Sequence, residues 1–289
     1  MVGFDLKKPK TVDEALDILN IGGQGFKILA GGTDLLVEAK DGKAENECMV
    51  FIGDIGALKY IREDAEGLHI GACTTIGEIE EDSVIREKYA ALSEAAGLMA
   101  NTQVRNLGTV GGNICTASPA GDTIAPLLVF DAQVEIASKE GRRRMPLEKF
   151  FAGPKKTVLK PGEMLAEILL PPQKLVSAYE RLGTRKASSI SICGCAAALE
   201  VSGGAYKTIR IAFSSVAPTV VRSYELEEAL AGKKVDSIDF DHFEKYSITC
   251  INPIVDRRAS KWYRCEVAKA LAKKAIIRAT ETALGGESK

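Results

Sequence analysis

Histidine is scarce in this chain: only His69 and His242 occur, far apart and beside neither cysteines nor a carboxylate pair. That scarcity argues against a histidine-built zinc or non-haem iron site, which needs several ligands at short spacing. The seven cysteines are scattered, and none forms a Cys-x-x-Cys. Their odd number and spacing exclude a disulfide framework, and an iron–sulfur cluster finds no ligand set. The closest pair, Cys193 and Cys195, falls on one face of a strand as small buried apolar residues. No apolar run approaches the ~20 residues of a membrane span. Ile190 to Val201 is the longest, and Gly194 and Glu200 interrupt it. Met1 to Lys10 lacks the apolar core of a leader, so a cytoplasmic protein is expected. A net charge of −1 gives no field for nucleic acid. Neither Gly-x-Gly-x-x-Gly at a helix start nor Gly-Lys-Ser/Thr occurs, so the common dinucleotide and P-loop signatures are missing.

What the 289 residues do contain is two glycine pairs, each placed where an apolar run ends. The first is Ile28-Leu29-Ala30-Gly31-Gly32-Thr33-Asp34-Leu35. The second is Thr109-Val110-Gly111-Gly112-Asn113-Ile114. Adjacent glycines let the backbone turn sharply and leave N–H groups open to an anion. Two such stretches can grip a pyrophosphate from opposite sides. The second continues through Cys115, Thr116, Ala117, Ser118 and Pro119 to Asp122. Polar groups set among small residues suit a backbone wrapped around a polar ligand rather than a packed helix or strand.

The surroundings read as follows. Thr11 to Glu14 is a capping box that starts a helix carrying Val12, Ala15, Leu16 and Leu19, and Gly22-Gly23 ends it. Strands at 27–30 and 49–52, with a helical turn at 35–40, make a β–α–β unit. The first glycine stretch then lies at a strand's carboxyl end, where α/β sheets bind ligands. Residues 60–62 and 68–72 read as a hairpin, and 83–100 as one helix with Tyr89, Leu92, Ala96 and Met99 on one face. A strand at 133–138 is followed by Gly141 to Arg144, a solvated turn; the triple arginine could alternatively meet an acidic partner or a nucleotide acceptor's phosphates. Phe150-Phe151, then Lys155 and Lys156, precede a strand at 166–170. Pro171-Pro172 marks a boundary. Beyond it, strands at 177–182, 189–201 and 208–215 form a three-stranded antiparallel sheet, with helices at 221–230 and 262–281. This region has no catalytic constellation, and its expected roles are to close one side of the ligand site and dock a partner.

Ala30 to Leu35, together with Gly108 to Asn113 and the Thr116-to-Asp122 tail, resembles the FAD-binding subunits of the molybdenum hydroxylases. That family includes xanthine dehydrogenase and the carbon monoxide dehydrogenase medium subunit, and the resemblance spans essentially the whole chain. It implies an α+β architecture: a two-subdomain FAD-binding fold of the vanillyl-alcohol-oxidase-like type over 1–172 (subdomains about 1–56 and 57–172), then an α+β domain over 173–289. It also implies that Leu29, Ala30, Gly31, Gly32, Thr33, Asp34 and Leu35 contact the FAD diphosphate and its flanks. Thr109, Gly111, Gly112 and Asn113 would meet it from the second subdomain, with Thr116 and Ser118 in the tail. Asp122 would accept hydrogen bonds from cofactor hydroxyls, and Leu165 and Met99 match positions on the adenine or isoalloxazine walls. The family's basic residue after the boundary strand is matched by Arg181 or not at all, because Glu180 leaves the register ambiguous. Neither glycine stretch contains histidine, so the flavin is expected to be non-covalent.

The resemblance further implies partners: a small subunit with [2Fe-2S] clusters and a large subunit with the molybdenum cofactor, in a heterotrimer often doubled to a hexamer. Electrons would cross the clusters to this flavin and leave to NAD or another acceptor. This chain offers no general-base histidine and no activated nucleophile, which fits a relay. Two alternatives stand beside it: a stand-alone FAD-dependent oxidoreductase of related fold, and a scaffold subunit that has lost its flavin.

Overall fold

The computed structural model describes residues 4–42, 48–185 and 188–285. The chain divides into two compact units. The first comprises Met1–Glu78, Thr102–Ala117 and Ala132–Pro172; the second comprises Ile79–Asn101, Ser118–Asp131 and Gln173–Lys289. Two internal stretches, Ile79–Asn101 and Ser118–Asp131, thus group with the C-terminal part.

The first unit opens with β1 (Asp5–Lys7) and α1 (Val12–Gly22). Thr11 caps α1 by accepting from Glu14 N–H at 3.1 Å. Glu14 reaches back, but to Lys10 N–H at 2.7 Å, one residue before the cap. Ala15, Leu16 and Leu19 bury one helix face, and Gly23 ends it at φ +55. β2 (Phe26–Leu29), α2 (Leu35–Lys40) and β3 (Cys48–Phe51) form the expected β–α–β unit, with β2 and β3 parallel. β1 adds a third strand in the order β1-β3-β2. Its three residues are all exposed, so no hydrophobic alternation announces it.

β4 (Ile61–Asp64) and β5 (Gly67–Gly71) form the hairpin. Its turn is tighter than the sequence suggests, because Asp64 accepts from Glu66 N–H at 2.8 Å. Gly67 is required there: a Cβ would lie 2.0 Å from the Leu170 carbonyl. The first segment of the first unit ends within α3 (Ile76–Glu81). α4 (Ser83–Lys88) and α5 (Ala90–Leu98) belong to the second unit. They are two helices, not one, since Tyr89 leaves helical geometry (φ −133, ψ 45). Its buried ring meets Phe130 edge-on at 5.0 Å, a tertiary contact that replaces helical continuity.

α6 (Thr102–Arg105) and α7 (Val110–Thr116) return to the first unit, and α8 (Ile124–Val129), buried throughout, lies in the second. β6 (Gln133–Ser138), β7 (Gly141–Pro146), β8 (Phe151–Gly153), β9 (Lys156–Thr157) and β10 (Met164–Leu170) complete the first unit. An antiparallel sheet has the order β4-β5-β10-β6-β7, with β10 buried along its whole length at the centre. The triple arginine lies in strand β7 rather than in a turn. Arg142 and Arg144 pair with Glu135 at 2.5 and 3.1 Å, and Arg143 pairs with Glu163 at 2.9 Å. Alternate strand positions and nearby carboxylates thus account for all three charges.

The second unit is built on β11 (Val176–Gly183), β12 (Ser191–Ser202), β13 (Ala205–Ser214) and β14 (Val221–Arg222), antiparallel and in that order. The sheet has four strands, not three: Val221–Arg222 pairs with Phe213 and Ala212 before α9 (Tyr224–Leu230) begins. α10 (Lys261–Ala283) follows. Cys193, Cys195, Ala197 and Leu199 share a core with Ala268, Ala272, Ala275 and Ile276 of α10. The alternate residues Ala196 and Ala198 are equally buried, so β12 is covered on both faces. α5 packs on β11 and α8 on β13. Those contacts draw the two internal stretches into this unit. No helix among the described residues is long and apolar enough to cross a membrane.

Candidate functional site

The first glycine stretch leaves the end of β2 and enters α2. Gly31 sits so close to the second stretch that a Cβ would lie 1.9 Å from the Leu107 carbonyl oxygen. Gly32 has φ +72, and its Cβ would meet Leu36 at 2.7 Å. A Cβ on Gly108 would meet Thr33 Oγ1 at 3.3 Å. The two glycine stretches, their glycine pairs 80 positions apart in sequence, are therefore neighbours within the first unit. The α2 turn uses the carbonyls here: Leu36 N–H donates to Gly32 and Glu38 N–H to Asp34, at 3.2 and 3.0 Å. Among the described residues, the N–H groups of Gly31, Gly32, Thr33 and Asp34 donate to no protein acceptor. Gly31, Gly32 and Thr33 are half-buried and Asp34 is exposed; backbone donors without partners are uncommon away from water. A row of four such donors, two of them on glycine, suits an oxygen-rich anion such as a diphosphate, so these residues fit FAD.

The second stretch is different, and the expectation of an open loop is corrected. Val110 to Thr116 is the helix α7, with Thr109 as its cap. Val110 N–H donates to Thr74 O at 3.0 Å and Gly111 N–H to Ala72 O at 2.9 Å. Gly112 N–H donates to Thr109 Oγ1 at 3.0 Å, and Asn113 N–H to Thr109 O at 2.9 Å. Four donors expected to be open are thus used internally. Gly111 is glycine for packing: a Cβ would lie 2.6 Å from the Ala72 carbonyl oxygen. Thr116 Oγ1 faces the first stretch and donates to Asp34 Oδ2 at 3.2 Å. Leu165 is buried in β10 opposite Ile136.

Met99, Ser118 and Asp122 belong to the second unit. Met99 is half-buried and closes the end of α5. Ser118 begins a turn in which Ala120 N–H donates to its hydroxyl at 3.2 Å. Asp122 accepts from the hydroxyls of Tyr179 at 2.8 Å and Ser191 at 2.5 Å, both on Oδ1. Arg181 Nε stands 3.6 Å from its other oxygen. Burial pushes the Asp122 carboxyl above its ordinary range, against the pull of Arg181 and the two hydroxyls. Burial also pushes Tyr179 up, and the Asp122 charge adds to it. The Arg181 guanidinium is buried and donates to Leu98 O, Ser189 O and Ser191 Oγ. Glu180 points elsewhere, to Arg278 and Lys274 at 2.5 and 2.7 Å. The ambiguous pair thus resolves into two separate ion-pair systems.

His69 also departs from its sequence reading. In the first unit's antiparallel sheet its two ring nitrogens lie 3.0 Å from Asp64 and 3.0 Å from Glu167, a carboxylate pair that strand pairing assembles. Glu167 also accepts from Tyr60 OH at 2.7 Å. Sequence reasoning gave no role to Glu38 and Lys155, which pair at 2.6 Å. The four-residue spacing of Asp34 and Glu38 was the available signal.

Residues 2–173 match the family described as FAD binding domain in molybdopterin dehydrogenase, and residues 177–279 match the CO dehydrogenase flavoprotein C-terminal domain. The chain is 33% identical over 279 residues to the xanthine dehydrogenase FAD-binding subunit of Escherichia coli O157:H7, covering 95% of each chain. It is 34% identical over 275 residues to the carbon monoxide dehydrogenase medium chain of Hydrogenophaga pseudoflava, covering 94% of this chain and 96% of that one. A solved structure of carbon monoxide dehydrogenase from the same organism contains a chain that superposes with a TM-score of 0.90 at 33% identity, covering 96% of both.

Proposed function

The chain belongs to the family of FAD-binding subunits of the molybdenum-containing dehydrogenases, and on that premise we propose that it is the electron-transfer subunit of such a complex. It is an oxidoreductase subunit with FAD as its cofactor. Electrons reach it from [2Fe-2S] clusters on a small partner subunit and leave to NAD or another acceptor. The organic substrate is oxidised at a molybdenum cofactor on a large partner subunit.

The observation that carries the reading is the row of open N–H groups from Gly31 to Asp34, on backbone that tolerates no side chain at Gly31. These donors would hold the diphosphate, with Leu29, Ala30 and Leu35 as flanks. Thr116 and Asn113 would contribute side chains from α7, and Thr109, Gly111 and Gly112 would bring that helix close. Contacts by Met99, Ser118, Asp122 and Leu165 rest on the resemblance alone. Bound FAD supplies the exchange between two-electron and one-electron transfer; the protein supplies position and electrostatics. Isolation from the native host, with absorbance spectra and metal analysis of every accompanying chain, tests the reading. Flavin on this chain, with iron and molybdenum on two others, supports it. Flavin on this chain alone, turning over a substrate without partners, overturns it.

A further inference from the structure

Lys155 stands in the turn between β8 and β9, and it is one of few non-glycine residues with a left-handed backbone, at φ +55. Its N–H donates to Ala117 O at 2.9 Å. Ala117 ends α7 and is itself left-handed, at φ +48. The Lys155 ammonium reaches Glu38 at 2.6 Å, and the Asp34 carboxylate adds to the field holding it charged. Asp34 in turn accepts from Thr116 at 3.2 Å. Asp34 and Glu38 lie one turn apart at α2, joined by the Glu38 N–H to Asp34 C=O bond at 3.0 Å. Two carboxylates beside the open donors are thus each met by a donor from the far end of α7 or the hairpin docked on it.

Stability does not account for this arrangement. The two side chains are 64% and 40% exposed, and ion pairs this wet contribute little. A left-handed lysine detracts from stability. Backbone strain that the surrounding structure maintains tends to mark ligand clamps. Electrostatics gives the same direction, since two uncompensated carboxylates within a helical turn would repel a diphosphate.

We propose that Lys155 and Glu38 form a latch that positions the first glycine stretch against α7 and offsets the local negative charge. Both are positioning residues, and Lys155 does not itself bind phosphate. The inference rests on the FAD reading above.

The test is FAD titration, followed by flavin fluorescence, on the protein as isolated with any accompanying subunits and stripped of flavin. Lys155→Met is expected to weaken FAD binding about two- to fivefold, with the melting temperature within about 2 °C of the parent. Lys155→Arg keeps the parent affinity. The exchanged pair Lys155→Glu with Glu38→Lys returns to within about twofold of the parent. Unchanged affinity in Lys155→Met, or an exchanged pair as weak as Lys155→Met, overturns the latch. A parent that takes up no FAD overturns the cofactor reading; a parent that binds FAD while the exchange fails overturns the latch alone.

Discussion

The two glycine pairs have the same composition, lie side by side in one unit, and do opposite things with their backbone. From Gly31 to Asp34 the N–H groups meet no protein acceptor among the described residues. From Val110 to Asn113 every N–H is taken, by Ala72, Thr74 and Thr109. In the first pair, glycine leaves donors for a ligand and brings the chain against Leu107; in the second, it lets a helix pack against the end of β5. A motif read as two matching halves is therefore one stretch with open backbone donors and one helix start whose donors are taken. Adjacent glycines allow either outcome, and the neighbouring carbonyls decide between them.

The largest expected effect is at Gly31. Gly31→Ala places a methyl group into the Leu107 backbone, where no flexible side-chain end can yield. Overpacking of this kind costs about 1–3 kcal/mol. Because the displaced atoms belong to the binding stretch, FAD affinity should fall about tenfold or more, read by flavin titration. Gly111→Ala should act on stability instead. Its methyl meets Ala72, so thermal denaturation should show a loss of about 1–3 kcal/mol, with FAD affinity of the folded protein within about twofold of the parent. A Gly111→Ala protein with normal melting and lost flavin would break the comparison and make the second stretch a direct ligand site.

Thr109→Val is a smaller probe of the same contrast. It removes the cap that takes the Gly112 N–H, at about 1 kcal/mol, measured by chemical denaturation. FAD binding after refolding should be nearly normal; a loss larger than that at Gly31→Ala would contradict the supporting role of α7. Thr116→Val should have the least effect. It deletes one exposed hydrogen bond to Asp34, worth about 0.5–1 kcal/mol, and should weaken FAD binding about twofold in the same titration. Equal effects of Thr116→Val and Gly31→Ala would give the hydroxyl as large a part in binding as the open backbone.

Much of the fold is legible along the chain. The α1 start follows from Thr11 and Glu14, and α2 covers the helical turn read at 35–40. The β12–β13 hairpin turns at Gly203-Gly204, both left-handed. Other features are not legible, for identifiable reasons. β1 is short and exposed, so it has no pattern to read. The break at Tyr89 depends on Phe130, 41 positions away. β14 is two residues long and stands just before a helix whose acidic first turn dominates the local signal. Asp122 carries the resemblance to a cofactor contact, yet its hydroxyl partners Tyr179 and Ser191 come from strands 57 and 69 positions later.

By itself, the sequence determined the family, the two places where backbone had to be bare, and the elements whose apolar periods are complete. Those properties are local: a glycine pair permits positive φ and close approach wherever it occurs, and a helix period needs no distant partner. Only the tertiary structure decided which bare backbone stayed open. The Ala72 and Thr74 carbonyls reach Gly111 and Val110 because β5 ends beside α7, whereas among the described residues no carbonyl accepts from the N–H groups of Gly31 to Asp34. A backbone donor's role depends on the nearest acceptor, and strand and helix packing across dozens of residues sets that distance.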